Sequence, residues 1–208
     1  ARDYLADSEP LSGADLIVWP EAALSAYLDE IDPGFIARLR NHEADFLLGI
    51  LAREALAPDA AYYNVALGVG DKSVLYRKHQ LVPFGEFVPM RNVLFFVEKM
   101  VEGIGNFRRG DHATIFQLGD IPFGVSICYE IIFPDLVRRP VNAGARFLVN
   151  ITNDAWFGEQ SGPYQHFYLS RIRSVEMNKF LIRVSNNGIT ALIDNYGKII
   201  KYIPLNVK

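Results

Sequence analysis

The sequence is short of cysteine, of long apolar runs and of charge blocks of one sign, and each shortage excludes something. Cys128 is the only cysteine in 208 residues, so no internal disulfide framework exists and pairing says nothing about redox compartment. No stretch reaches the ~18 uninterrupted apolar residues of a bilayer span. The opening ARDYLADSEP lacks the pattern of a secretory signal. The chain as given is therefore expected not to be a membrane protein itself, though it could be part of one. Lys and Arg number 21 against 24 Asp and Glu, for a net charge of −3 with no basic block, so no nucleic-acid surface is expected. Four His and one Cys supply no ligand cluster, and neither a metal nor a cofactor is expected. Repeats, low-complexity tracts and linkers are missing too. What remains is a chain that is 50% hydrophobic and 22% charged, the profile of a well-developed core, and a single domain over 1–208 is expected.

Short apolar runs separated by turn signals cover most of the chain. DLIVWP (15–20), closed by Pro, reads as a buried strand. DPGFIARLRNHEA (32–44) has the start signal of a helix, with Asp32 at the cap and Pro33 at the first position. DFLLGILAR, YYNVALGV and SVLYRKHQLV follow as strands, and ATIFQLGDIPFGVSIC reads as a hairpin turning at Gly119-Asp120. PDLVRRPVNAG is a short helix despite Pro140, and RFLVNIT a strand. A helix over 163–179 opens on Pro163 and is expected to carry Phe167, Ile172 and Val175 inward. FLIRVSNN, ITALIDNYG and KIIKYIPL close the chain as strands. Strands alternating with helices argue for an α/β architecture of helix-covered mixed sheets. MRNVLFFVEKMVEGIGNF (90–107) sits in an unusually long connection, either as a core helix or as an apolar arm beside a site.

Three chemically different groups fall at the ends of three of these strands. Cys128 ends the run VSIC, and Tyr129-Glu130 follow at once. A lone Cys is ordinarily a small buried hydrophobe. Strand ends in α/β sheets, however, are where reactive groups gather, and a nucleophilic thiol needs a base or a nearby cation. Glu21 follows the first strand in LIVWPEAAL, and Lys78 follows another in LYRKHQLVPFGEFVP. Each taken singly reads as a solvated charge. Together they offer a base, a cation and a nucleophile.

WPE, YRKHQLVPFGE, ICYE and NDAWFG, in that order, resemble the nitrilase (carbon–nitrogen hydrolase) superfamily with its Glu-Lys-Cys triad. VPFGEFVP, ICYEIIF, NDAWFG and SNNGITA bring the chain nearest to the catalytic domain of the bacterial apolipoprotein N-acyltransferases, over about Asp15 to Ile203. The resemblance implies a four-layer α-β-β-α sandwich, here without the family's opening strand and flanking transmembrane helices, so that the chain reads as a fragment. It implies a ping-pong transfer through a thioester on Cys128, with Glu21 as general base, its pKa raised by desolvation, and Lys78 favouring thiolate and oxyanion. Tyr129 supplies a main-chain oxyanion donor, Glu86 a partner for Lys78, and Glu130 a support for the nucleophile turn. Trp156 is expected either at the substrate pocket or as a core aromatic. Phe95, Phe96 and Met100, in an apolar arm over 84–107, are expected to contact acyl chains and membrane. The implied donor is a phospholipid, the implied acceptor the N-terminal diacylglyceryl-cysteine of a lipoprotein, and the implied place the bacterial inner membrane, facing the periplasm. A soluble amidase or nitrilase of the same superfamily, and a catalytically silent fragment, are the alternatives. His79 and His166 are expected to be structural.

Overall fold

The computed structural model describes residues 4–11, 13–24, 26–56, 60–83, 85–87 and 107–207. Two sheets face each other. In the first, β1 (Leu16–Val18), β2 (Asp45–Arg53), β3 (Tyr62–Val69) and β4 (Val74–Arg77) lie in sequence order, β1 parallel to β2 and the rest antiparallel. In the second, β5 (Phe116–Leu118), β6 (Ile121–Ile127), β7 (Phe147–Thr152), β8 (Phe180–Ser185), β9 (Thr190–Ile193) and β10 (Ile199–Ile203) run in spatial order 10-9-8-7-6-5. Strands β6, β7 and β8 form a parallel centre flanked by antiparallel pairs. The β5–β6 hairpin turns where expected, with Gly119 at φ +55°, a conformation that costs glycine nothing.

Three separate cores make this a four-layer α-β-β-α arrangement. Strand side chains alternate faces, so Phe46, Leu48 and Ile50 of β2 point one way and Leu47 the other. The first set packs with Trp19, Leu39, Val65 and Leu67 beneath α1 (Tyr4–Ser8) and α2 (Pro33–Arg40). Leu47 joins Phe116, Phe123, Val125, Ile127 and Val149 between the two sheets. Leu148, Leu181, Ala191 and Ile193 pack on the outer side of the second sheet with Val137 of α3 (Pro134–Asn142) and Phe167 of α4 (Ser161–Met177). A strand buried on both faces needs apolar residues at nearly every position, which is why DFLLGILAR shows no polar alternation.

Two expectations are corrected here. Strand β4 stops at Arg77, well short of the segment through Val82, because the chain turns away at Lys78. Helix α4 buries Phe167, but Ile172 and Val175 are 46% and 51% exposed. Its inward face is Pro163, His166, Phe167, Ser170, Arg173, Ser174 and Met177, spaced for a helix but largely polar. What those polar groups meet is described below. The arm over 84–107 lies mostly outside the described residues.

Candidate active site

Each candidate residue sits just past a strand end. After β1, Trp19 N–H still pairs with the Leu47 carbonyl, and its buried ring packs against Tyr4 and Phe46. The chain then turns over β2, with Ala22 in a left-handed conformation (φ +48°) and Ala23 N–H donating to Gly49 O. Gly49 is required: a Cβ there would lie 2.4 Å from Pro20 O and 2.5 Å from Glu21 Cα. Glu21 is thereby buried at the junction of the two sheets. Lys78 follows β4, its N–H bonded to Asn64 O, and is 1% exposed. Cys128 follows β6, buried, and opens a 3-10 turn over Cys128–Ile132 at φ +49°.

A closed ring of hydrogen bonds joins the charged groups. Lys78 Nζ donates to Glu21 Oε1 at 3.2 Å and to Glu86 Oε1 at 2.9 Å. Asn64 Nδ2 bridges the same two oxygens at 2.6 and 3.0 Å. Glu86 Oε2 accepts from Val82 N–H, and Glu21 Oε2 accepts from Asn153 N–H, beyond the end of β7, at 2.8 Å. With Oε1 taken by two donors, Oε2 is the Glu21 oxygen with capacity to accept a proton. Burial works against the Lys78 ammonium, but the charges of Glu21 and Glu86 outweigh it and hold its pKa above the usual lysine value. Lys78 therefore stays charged.

Lys78 favours the Cys128 thiolate as expected, but burial and Glu21 outweigh it. Burial, then the charge of Glu21, pushes its thiol up to about 12, while Lys78 and a hydrogen bond with Thr152 pull less strongly the other way. One ammonium shared between two carboxylates leaves the pocket net negative. The resting sulfur is thus a thiol, and it needs a base at the moment of attack.

Glu130 couples the two halves of the site. It is fully buried, and its Oε1 accepts from His79 N–H at 2.5 Å and Gln80 N–H at 3.1 Å, directly after Lys78. Oε2 accepts from Ile127 N–H at 2.7 Å, directly before Cys128. Tyr76 Oη lies 2.9 Å from both oxygens. Burial pushes this carboxyl up to about 7, against the pull of its N–H donors.

Tyr129 is half-buried, with its ring edge-on to Phe133. Trp156 is 83% exposed, so it is not a core aromatic. Phe95, Phe96 and Met100 lie outside the described residues. His79 stacks on Tyr76 and bonds the His112 carbonyl, whereas His166 reaches the Cys128 carbonyl at 3.1 Å. Asn64, Asn150, Thr152, Asp154 and Arg183 were not anticipated. Asn64, Asn150 and Arg183 do leave a signal: each is a polar residue inside an otherwise apolar strand. Among the described residues no group of His, Cys, Asp and Glu is placed to hold a metal ion, and no helix is long and apolar enough to cross a membrane. A surface pocket of about 260 Å³, lined by residues including Asp45, Val69, Asp71 and Phe116, touches none of Glu21, Lys78, Glu86, Cys128 and Glu130.

Known proteins resemble this chain in sequence and in fold. The carbon-nitrogen hydrolase family model matches residues 5–207. Similar curated proteins include the apolipoprotein N-acyltransferases of Geobacter metallireducens, 41% identical over 92% of this chain and 38% of that protein, and of Rickettsia prowazekii, 38% identical over 96% and 41%. The chain thus spans about two fifths of the length of these relatives. Among solved structures, glutamine-dependent NAD+ synthetase from Acinetobacter baumannii matches with a TM-score of 0.72 at 18% identity, over 98% of this chain and 39% of that one. Saccharomyces cerevisiae Nit3, of the nitrilase superfamily, matches with 0.69 at 19% identity, over 98% and 78%. These structural likenesses show the α/β nitrilase-like fold.

Proposed function

This chain belongs to the carbon–nitrogen hydrolase family, and from that premise we propose that it carries the acyl-transfer site of an apolipoprotein N-acyltransferase. The single observation behind the reading is the buried ring of Glu21, Lys78, Glu86 and Asn64, set within electrostatic reach of Cys128. The identities near 40% to apolipoprotein N-acyltransferases, against under 20% to the amidase-like folds, favour this member of the family over a soluble hydrolase.

The first half-reaction begins with a phospholipid acyl ester. Glu21 Oε2 takes the Cys128 proton as Sγ attacks the ester carbonyl. Lys78 and the Tyr129 N–H face the developing oxyanion, and one such donor is typically worth ~10²–10³ in rate. Collapse breaks the ester C–O bond, Glu21 returns the proton to the departing alkoxide, and lysophospholipid leaves a Cys128 thioester. In the second half-reaction the α-amine of a diacylglyceryl-cysteine attacks the thioester. Glu21 accepts the ammonium proton and delivers it to sulfur as the C–S bond breaks, leaving an N-acyl lipoprotein. A base that removes the proton during attack is what a thiol held near 12 requires. On this reading the transfer takes place at the bacterial inner membrane, on its periplasmic side.

Incubating the intact protein with phospholipid and weighing it by mass spectrometry tests the reading. An acyl adduct on Cys128, absent in Cys128→Ser and discharged by an N-terminal diacylglyceryl-cysteine peptide, is expected. An adduct discharged equally fast by water alone makes the protein a hydrolase and ends the acyltransferase reading.

A further inference from the structure

Cys128 holds a strained main-chain conformation that non-glycine residues rarely adopt, and such a conformation persists only where the surroundings enforce it. The enforcing contacts fall on its carbonyl. His166 Nε2 lies 3.1 Å from Cys128 O, and Asn150 Nδ2 donates to the same oxygen at 3.4 Å. A carbonyl can only accept, so Nε2 carries the hydrogen. The other ring nitrogen of His166 lies 2.9 Å from Asp154 Oδ1 and 3.1 Å from Arg183 Nη2.

Those two residues are fully buried and locked in turn. Arg183 Nη2 donates to Asp154 Oδ2 at 2.7 Å, and Nη1 donates to Asn150 Oδ1 at 2.5 Å and Ser170 Oγ at 3.1 Å. Thr152 Oγ1 donates to Asp154 Oδ1 at 3.0 Å. Gly188 lets Asp154 in, since a Cβ there would lie 2.0 Å from Asp154 Oδ2. This is the polar face that α4 turns inward. Buried ion pairs are weak sources of stability compared with apolar packing, so a cluster of this size calls for another purpose.

The planarity of the peptide group supplies one. The Cys128 carbonyl and the Tyr129 N–H belong to the same trans peptide and point in opposite directions. Pinning the oxygen into the Arg183–Asp154–His166 cluster turns the N–H toward the opposite side, where an oxyanion donor is needed. We propose that His166 is a positioning residue for acyl transfer: its Nε2–H fixes the Cys128–Tyr129 peptide and thereby aims the Tyr129 N–H, while Asp154 and Arg183 fix the ring. The inference rests on Cys128 as the acylated nucleophile of the proposed function, and it assigns the imidazole no proton-transfer step.

The test uses the intact protein with three reagents: a phospholipid, a p-nitrophenyl fatty-acid ester and iodoacetamide. Esters pass through an oxyanion, whereas alkylation does not. In His166→Leu, Cys128 acylation by either ester should fall ~10²-fold in kcat, with KM and the alkylation rate within about threefold, as expected for a lost oxyanion donor. His166→Gln, whose amide nitrogen can replace Nε2–H, should recover most of the rate. Wild-type acylation rates in His166→Leu, an equal fall in alkylation and acylation, or no advantage of Gln over Leu would each overturn the proposal. Should His166→Leu fail to fold, nitrogen NMR of the wild-type ring decides: a protonated Nε2 near neutral pH supports the arrangement, and an unprotonated Nε2 ends it. Wild-type acylation by the p-nitrophenyl ester but not by phospholipid removes the proposed function and leaves this inference standing. Acylation of Cys128 by neither ester removes both.

Discussion

Glu130→Gln is the perturbation whose consequences the geometry determines most closely. The side chain keeps its shape and loses one acceptor. If the amide nitrogen replaces Oε2 it faces Ile127 N–H, and if it replaces Oε1 it faces the N–H groups of His79 and Gln80. Tyr76 can rotate its hydroxyl to suit either arrangement, but the main-chain donors cannot. One buried donor left unpaired costs ~1–3 kcal/mol. Glu130→Ala strips all three N–H groups, for ~3–9 kcal/mol against a total stability of ~5–15 kcal/mol, and is expected to unfold the protein or come close.

The pH dependence of the Gln variant provides the sharper test. Burial raises the Glu130 carboxyl from 4.5 to about 7. A group raised on folding contributes stability that is whole below its unfolded value and is lost as pH climbs through its folded value. The gap between 4.5 and about 7 amounts to ~3 kcal/mol, of which roughly 2 kcal/mol disappears between about pH 5 and about pH 8. Gln has no proton to lose. Urea denaturation of both proteins should therefore show a penalty for Glu130→Gln that is largest near pH 5 and shrinks by about 2 kcal/mol toward pH 8. A penalty that stays constant, or grows with pH, would mean that the three N–H donors outweigh burial, and the assignment of a near-neutral carboxyl would be wrong.

Three further perturbations act on the other buried charges. Lys78→Met leaves Glu21 and Glu86 facing each other across Asn64 and should cost ~3–5 kcal/mol in urea melts; adding Glu86→Gln should recover part of that stability and none of the acyl transfer. A Lys78→Met protein within about 1 kcal/mol of wild type would show the ring is not strongly coupled. Arg183→Met breaks an ion pair with no exposed member and should also cost ~3–5 kcal/mol. Asp154 is held at about 2, because the His166 hydrogen bond and the Arg183 charge together outweigh burial. It therefore contributes ~2 kcal/mol above its unfolded value of 3.8 that is lost as pH falls through 2, and Asp154→Asn should flatten the acid limb of the stability profile.

Strand positions were legible because each run is apolar for a simple reason: both faces of β2, β6 and β7 are covered. The turn at Gly119-Asp120 and the cap at Asp32, whose Oδ1 accepts from Gly34 N–H, were legible because turns and caps draw on few residue types. Helix α4 was misread at Ile172 and Val175 because the reading assumed that an inward face is an apolar one. On this helix the inward face meets Arg183, Asn150 and Asp154, so Ser170 and His166 take positions that hydrophobic spacing would assign elsewhere.

That failure and the residues missed at the site have one cause. Glu21, Lys78 and Cys128 could be singled out because each ends a strand, and strand ends show in a single sequence. Asn64, Asn150 and Arg183 sit inside strands, where neighbours in sequence say only that the position is buried. A buried polar group must find a partner, and none of its apolar neighbours can provide one. Its partner must then be another such misfit on a different element. Asn64 meets Glu21 and Glu86; Arg183 meets Asn150 and Asp154. Each set closes on a residue next to the thiol, the first through Glu21 and Lys78 and the second through the Cys128 carbonyl. Polar residues stranded in apolar runs are thus a signal in their own right. In this chain, pairing them with one another, rather than with the nearest charge in sequence, recovers the shell that holds the nucleophile.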